Sequence, residues 1–299
     1  MSAAGGAPRR LTDAVWLVGS GAPGGQHSDD HDCHVFLIDG GGEAALVDCG
    51  TGLATGTILR NVEQVCPLDR LGRILVTHYH ADHAGGAASL RARTGAAVAI
   101  AADVADVLRR GDEQATSLAA ARAAGVYPPR YRLAPCEADL PVTDGDSFEV
   151  GDVRVTAVAS PGHCDGHLCW LLDTGDRTAL FSGDCVFAGG RVSIQAIHDC
   201  RLDLYARTTA RLARLPVDAL LPGHLELELE HGAASLRAAA EPVARLVPPP
   251  TILSGHWRPN DARRGAADRD RRRDHGAAAP DRARAAAARD RPVALHRGG

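Results

Sequence analysis

The chain has 299 residues, 45% apolar and 23% charged, with a formal net charge of −4; that is room for one large domain or two small ones with an ordinary soluble core. No apolar run approaches the ~18 residues of a membrane span, and no apolar stretch follows Arg9-Arg10 as a secretory signal requires. Every one of the 33 basic residues is Arg; twelve of them, with six Asp, lie beyond Gly255, leaving 21 against 31 acids, so the body of the chain carries no basic footprint for nucleic acid.

Residues 14–18 read as an apolar strand, and residues 19–32, rich in Gly, Asp and His, as a long loop. His27 and His31 in that loop either border a site or are solvated, and solvation is the simpler reading. Residues 35–39 and 44–48 flank Gly40-Gly41-Gly42 as strand, turn and strand. Thr51 is placed to cap a helix running to about Gln64. Residues 74–76 form a short buried strand that opens onto Thr77-His78-Tyr79-His80-Ala81-Asp82-His83-Ala84-Gly85-Gly86. Three imidazoles and one carboxylate within six positions are the donor mix that cations such as zinc favour. His78 and His80, two apart, project the same way from extended backbone. Asp82 and His83 fall where the chain turns into a helix, which aims them at a second point. One stretch could thus supply two ligands to each of two ions; a strand-end turn rich in His by accident is the plain alternative.

Further on, residues 87–93 read as a helix stopped by Gly95, residues 97–100 as a strand, and residues 101–124 as two outer helices broken near Gly111. Tyr127-Pro128-Pro129-Arg130-Tyr131 is a stiff loop. Residues 153–159 alternate as a strand and lead into Ser160-Pro161-Gly162-His163-Cys164-Asp165-Gly166-His167. Strands at 168–172 and 178–181 follow, the second ending on Ser182-Gly183-Asp184 with Cys185 beside it. A helix over 201–215 carries an apolar stripe of Leu202, Tyr205, Leu212 and Leu215. A strand at 218–221 then reaches a second Pro-Gly-His, Pro222-Gly223-His224, and a helix over 231–247 ends at Pro248-Pro249-Pro250. Residues 254–299 mix Ala, Arg, Asp and Gly with almost no large apolar residues and bury no core. They are expected to form a disordered or loosely helical tail outside a domain of residues 1–253. An altered reading frame in a GC-rich gene would explain so abrupt a shift, and the other frames of the nucleotide sequence would reveal it. The eight cysteines are scattered with no Cys-x-x-Cys pair, which suits a reduced, cytoplasmic protein whose thiols act mostly as small apolar residues.

The His-x-His-x-Asp-His stretch resembles the signature of the metallo-β-lactamase-fold hydrolases, and the two Pro-Gly-His turns and Ser-Gly-Asp follow in that family's order. The resemblance implies an α/β, four-layer αββα sandwich, a single domain with two mixed sheets face to face and helices outside. It implies that His78, His80 and His163 bind one ion, that Asp82, His83 and His224 bind a second, and that Asp184 bridges them. Asp48 before its Gly-rich turn matches an element whose acid orients neighbours without binding metal. His167 is read as orienting or packing, and Cys185 as a neighbour of Asp184. Insertions near 127–131 often cover the family's site, so Tyr127 or Tyr131 either touches substrate or packs; Tyr205 or Tyr127 is the counterpart of a tyrosine used by lactonases.

The implied cofactor is Zn2+, two per chain, with iron as the alternative. Two such ions share a water and lower its pKa from ~15.7 towards 7. The bridging hydroxide attacks the carbonyl of a small ester, thioester or lactone, with Asp82 orienting the water or moving a proton. The pattern is nearest the glyoxalase II and lactonase-like branch, although no counterpart of the C-terminal glutathione-holding domain can be assigned, and β-lactam hydrolysis is not the first reading. A mono-iron persulfide dioxygenase and a non-catalytic metal-binding protein are the alternatives, the latter weakened because no ligand is missing. The partner expected is a small-molecule substrate, with neither membrane nor nucleic acid; oligomeric state is left open, a homodimer being one option.

Overall fold

The structure, a computed structural model, describes residues 6–21 and 27–252; the expected tail at 254–299 lies outside the described residues. Two mixed sheets stack face to face. The first takes its strands in chain order: β1 (Arg9–Arg10), β2 (Val15–Gly19), β3 (Val35–Asp39), β4 (Ala44–Val47), β5 (Leu71–Leu75), β6 (Ala97–Ala101) and β7 (Leu140–Val142). Pairing is antiparallel up to β4 and parallel beyond it. The change follows from the connections. A tight glycine turn joins β3 to β4, whereas parallel pairing needs crossovers. These are supplied by α1 (Thr55–Glu63), the single turn α2 (Ala81–Ala84) with α3 (Ala87–Thr94), and the segment carrying α4 (Ala105–Arg110) and α5 (Leu118–Ala123).

The second sheet has the order β14 (Ala219–Pro222), β11 (Thr178–Gly183), β10 (Leu168–Asp173), β9 (Val153–Ala159), β8 (Ser147–Val150). It is antiparallel except for β11 and β14, whose connection runs through the small hairpin β12 (Val186–Phe187) and β13 (Arg191–Val192) and then α6 (Leu202–Leu212). Because both faces of the central strands are covered, they read as continuous apolar runs, as in Val35-Phe36-Leu37-Ile38, all buried.

Between the sheets, Phe36 meets Phe181 with ring centroids 5.2 Å apart. Trp170 of β10, fully buried, donates its indole N–H to Val76 O at 3.3 Å and ties one sheet to the other. On one outer face α1 buries Ile58, Leu59 and Val62. On the other, α6 and α7 (Gly232–Ala244) pack Tyr205, Leu212, Leu236 and Ala239 against Val158, Leu180 and Leu220. The architecture is therefore the expected four-layer αββα sandwich. No helix among the described residues is long and apolar enough to cross a membrane.

Two expectations need correction. Thr51 does not cap α1, which starts at Thr55 with Ala54 as its N-cap; the Thr51 hydroxyl instead donates to Asp32 Oδ1 at 2.6 Å, because a buried carboxylate is the stronger acceptor. The helices expected over 101–124 shrink to two short ones, α4 being stopped by Gly111 in the left-handed conformation.

Candidate metal centre

Chain segments leaving β5, β9, β11 and β14 converge, and they bring all seven of the expected ligand residues together. After β5 the backbone stays extended through His80 (φ −60°, ψ 149°), which serves as N-cap of α2; Asp82 and His83 ride on that turn and point elsewhere. The two Pro-Gly-His turns need their glycines. Gly162 has φ 141°, and a Cβ there would lie 2.7 Å from the Tyr205 backbone; a Cβ on Gly223 would lie 2.5 Å from the His83 ring.

The donors form two groups. His80 Nδ1 lies 3.1 Å from His78 Nε2 and 3.0 Å from His163 Nε2. His224 Nε2 lies 3.3 Å from His83 Nε2 and 3.1 Å from Asp82 Oδ2. Asp184 stands between the groups, with Oδ2 3.8 Å from His163 Nε2 and Oδ1 3.4 Å from His83 Nε2 and 3.5 Å from His224 Nε2.

Burial pushes His80 down to about 4, with the neighbouring His163 adding to the effect. Burial likewise holds His78 and His163 below the ordinary histidine range. The first group is thus a set of neutral rings facing one another. In the second group burial also opposes charge, but Cys33 with Asp48, Asp82 and Asp184 outweighs it at His83, and Asp184 with Asp82 outweighs it at His224, so both are raised. Asp82 and Asp184 are correspondingly held below the carboxylate range: burial pushes them up, and His83 and His224 more than offset it. Nitrogens about 3 Å apart with lone pairs converging, and anionic oxygens beside them, are a donor set for cations. Asp184 Oδ1 sharpens that fit, since it is buried and accepts no hydrogen bond.

Neighbouring groups fix the rings. His83 Nδ1 lies 2.8 Å from Asp48 Oδ2, and Asp48 Oδ1 accepts the Thr77 N–H at 2.7 Å. Asp48 does this from φ 59°, a left-handed conformation. His163 Nδ1 meets Ser193 O at 3.0 Å. Partners of this kind hold the Nδ1–H tautomer and turn the Nε2 lone pair inward. His167 orients as expected: its Nδ1 is 2.7 Å from Ser160 Oγ, its Nε2 accepts the Asp184 N–H at 3.3 Å, and its ring stacks on His78.

The tyrosines divide. Tyr127 reaches the centre, donating its hydroxyl to Asp82 Oδ1 at 3.1 Å while stacking on Tyr131 and His31. His31 therefore borders the site, whereas His27 bonds to Ala7 O. Tyr131 packs, its hydroxyl donated to Thr51 O. Tyr205 is buried with its hydroxyl engaged by Cys185 O and the Ser193 N–H, so it is not the substrate-facing tyrosine of the lactonase analogy. Cys185 is buried next to Asp184.

Sequence reading missed two polar anchors. His34 donates its backbone N–H to Gly223 O at 2.6 Å, and its Nδ1 lies 2.9 Å from Pro222 O, bracing the turn before His224. Asp199, buried, accepts the Tyr79 hydroxyl between His78 and His80. A signal for His34 existed, a histidine opening an apolar strand; none existed for Asp199, which lies 120 residues from its partner.

A family model described as metallo-beta-lactamase superfamily matches residues 28–224. The chain is 26% identical over 201 residues to an atrochrysone carboxyl ACP thioesterase of Aspergillus fumigatus, covering 66% of this chain and 40% of that one. It is 30% identical over 210 residues to the acyl-coenzyme A thioesterase MBLAC2 of Homo sapiens, covering 64% and 72%. The chain thus spans less than half the length of the fungal relative. A metallo-beta-lactamase of Cronobacter sakazakii with an HARLDQ motif superposes with a TM-score of 0.63 at 20% identity, over 89% of this chain and 96% of that one, a likeness of fold. Fold, donor geometry and the match over residues 28–224 agree: the chain belongs to the metallo-beta-lactamase superfamily.

Proposed function

We propose that the protein is a metal-dependent hydrolase of thioesters. In this reading His78, His80 and His163 would hold one divalent ion and Asp82, His83 and His224 a second, with Asp184 placed to serve either. Zinc is the ion that best suits such a nitrogen and carboxylate set. The observation that carries the reading is the pair of converging donor groups with the Asp184 carboxylate between them. The thioesterase names of the Aspergillus and human relatives favour thioesters over other esters and lactones.

When bound, such ions acidify a shared water and polarise a carbonyl oxygen. The residues of the chain do the rest. Asp48 and Ser193 O keep His83 and His163 in the donor tautomer. Asp82 receives the Tyr127 hydroxyl on Oδ1 and turns Oδ2 towards His224, which places a carboxylate to orient the attacking water and take its proton. A thiol leaves as a thiolate of pKa ~8.5, so the geometry needs no dedicated acid. Nor is a cysteine nucleophile called for, since burial pushes Cys33 up to about 12 and Cys164 well up as well. The eight unpaired cysteines support a reducing compartment such as the cytoplasm.

Elemental analysis of protein purified without chelator is expected to give about two zinc ions per chain, and the loaded protein to release free thiol from short acyl thioesters. A single iron with oxygen uptake on a persulfide would replace the reading with a dioxygenase. Loaded protein that leaves a whole panel of thioesters intact would refute it.

A further inference from the structure

A cavity of about 430 Å³ lies between the segment 112–120 and the loop 194–201, with Ala115, Ser117 and Ala120 on one wall and Ala196, Ile197 and His198 on the other. That volume is within the ~300–1,000 Å³ of small-molecule sites. Both walls are tied to the metal centre. Behind the second wall, Asp199 accepts the Tyr79 hydroxyl between His78 and His80, and also the Asp165 N–H at 3.1 Å, two residues past His163. Behind the first, Leu118 packs with Ala81, Tyr131 and Tyr127, and Tyr127 donates to Asp82. On each wall, then, a residue next to the lining touches the His78–His83 stretch itself, Asp199 at Tyr79 and Leu118 at Ala81.

The chemistry of the lining narrows the occupant. It holds no arginine, and its one carboxylate is Asp112. No arginine in the lining holds the phosphates of a coenzyme, whereas Ala115, Ala120, Ala196 and Ile197 give a hydrocarbon chain an apolar strip among the polar groups. At its rim His198, with its side chain 57% exposed, puts Nδ1 3.6 Å from Asp199 Oδ1. That oxygen is buried and accepts no hydrogen bond. At 3.6 Å the two are not hydrogen-bonded, but a small turn of the ring would pair Nδ1–H with that oxygen and leave Nε2 as an acceptor.

Resting on the thioesterase reading, we propose that this groove is the acyl-chain subsite. We further propose that His198, oriented by Asp199, is the specificity residue that accepts a hydrogen bond from a hydroxyl on that chain. Three proteins test this as full-length, metal-loaded chains: the wild type, Ile197→Trp, which fills the groove, and His198→Phe, which removes the acceptor. The substrates are acetyl, decanoyl and β-hydroxydecanoyl thioesters of N-acetylcysteamine. Calorimetry with the non-hydrolysable S-decyl thioether gives a readout free of turnover. Ile197→Trp is expected to keep acetyl turnover and to lose about tenfold in kcat/KM with decanoyl and in thioether affinity. His198→Phe is expected to abolish an approximately tenfold preference for the hydroxylated chain. Decanoyl turnover and thioether binding unchanged in Ile197→Trp would overturn the groove assignment. A wild type with no hydroxyl preference, or a preference surviving in His198→Phe, would overturn the role of His198. Wild type inert towards the acetyl thioester marks failure of the thioesterase reading instead, and thioether binding still decides the groove.

Discussion

Asp48→Asn changes one atom in the support of the second donor group. Asp48 and His83 are both buried, with side chains 3% and 0% exposed, and the carboxylate serves three donors at once, the His83 ring at 2.8 Å, the Thr77 N–H at 2.7 Å and the Thr77 hydroxyl at 2.9 Å. Asparagine keeps the shape and tolerates the left-handed backbone at φ 59°. It has only one acceptor oxygen. With that oxygen on the Thr77 N–H, the amide NH2 faces His83 Nδ1 and forces the proton onto Nε2, where the lone pair is needed. Loss of such a partner lowers metal affinity roughly 10–100-fold, or about 1.4–2.8 kcal/mol, and the effect falls on the second ion alone. With the amide reversed, two N–H donors face each other and stability falls by about 1–3 kcal/mol. Zinc titration of metal-free protein against a chromogenic chelator, with urea unfolding of the same sample, separates the two outcomes. Unchanged affinity at both sites together with unchanged stability would refute the role given to Asp48.

Trp170→Ala removes the largest fully buried side chain between the sheets; denaturant unfolding should show a loss of about 3–5 kcal/mol, and a loss under ~1 kcal/mol would contradict the packing described. Tyr127→Phe keeps the stacking on Tyr131 and deletes the hydroxyl on Asp82. Thioester kcat/KM should fall about tenfold with full metal content, and unaltered kinetics would remove Tyr127 from the site. His34, pushed by burial from 6.5 down to about 4, makes metal-free protein acid-sensitive. Its folded value lies below its unfolded one, so the unfolded chain takes the proton first. Its stabilisation is complete above pH 6.5 and is lost as pH falls towards 4. Between pH 7 and 5 that amounts to about 2 kcal/mol, and urea midpoints of His34→Asn should lack this share of the pH dependence.

Where burial writes a pattern, the sequence could be read. β3 and β9 occupy the residues expected of them because one is an apolar run covered on both faces and the other alternates. The two-residue strands β1, β12 and β13 carry no periodicity, and their pairing depends on which neighbour the fold brings alongside. β8 alternates at Ser147-Phe148-Glu149-Val150 but over four residues only, and β7, Leu140-Pro141-Val142, is too short to show a period, so neither stands out from the loop between 124 and 153. At the centre, the donors of residues 78–83 are legible from spacing alone, being four within six positions. His163, Asp184 and His224 were found only through the resemblance, since nothing in linear spacing says that three distant strand ends meet. The same blindness hid Asp199, which Tyr79 reaches only in the folded chain.

The donors also differ in where they are rooted. His78, His80, Asp82 and His83 follow β5 of the first sheet, whereas His163, Asp184 and His224 follow β9, β11 and β14 of the second. An ion held by both sets clasps the two halves of the sandwich, closing long loops of chain at a single point as a covalent cross-link would. With the proposed ions bound, metal supply would govern the lifetime of the fold as well as turnover: chelation would loosen the seam between the sheets, and each ion that binds only the folded chain would raise the melting temperature by mass action. Refolding has the opposite hazard. The four donors of the His78–His83 stretch are local in sequence and need no second sheet to meet, so a divalent ion offered too early would bind the unfolded chain and hold it there.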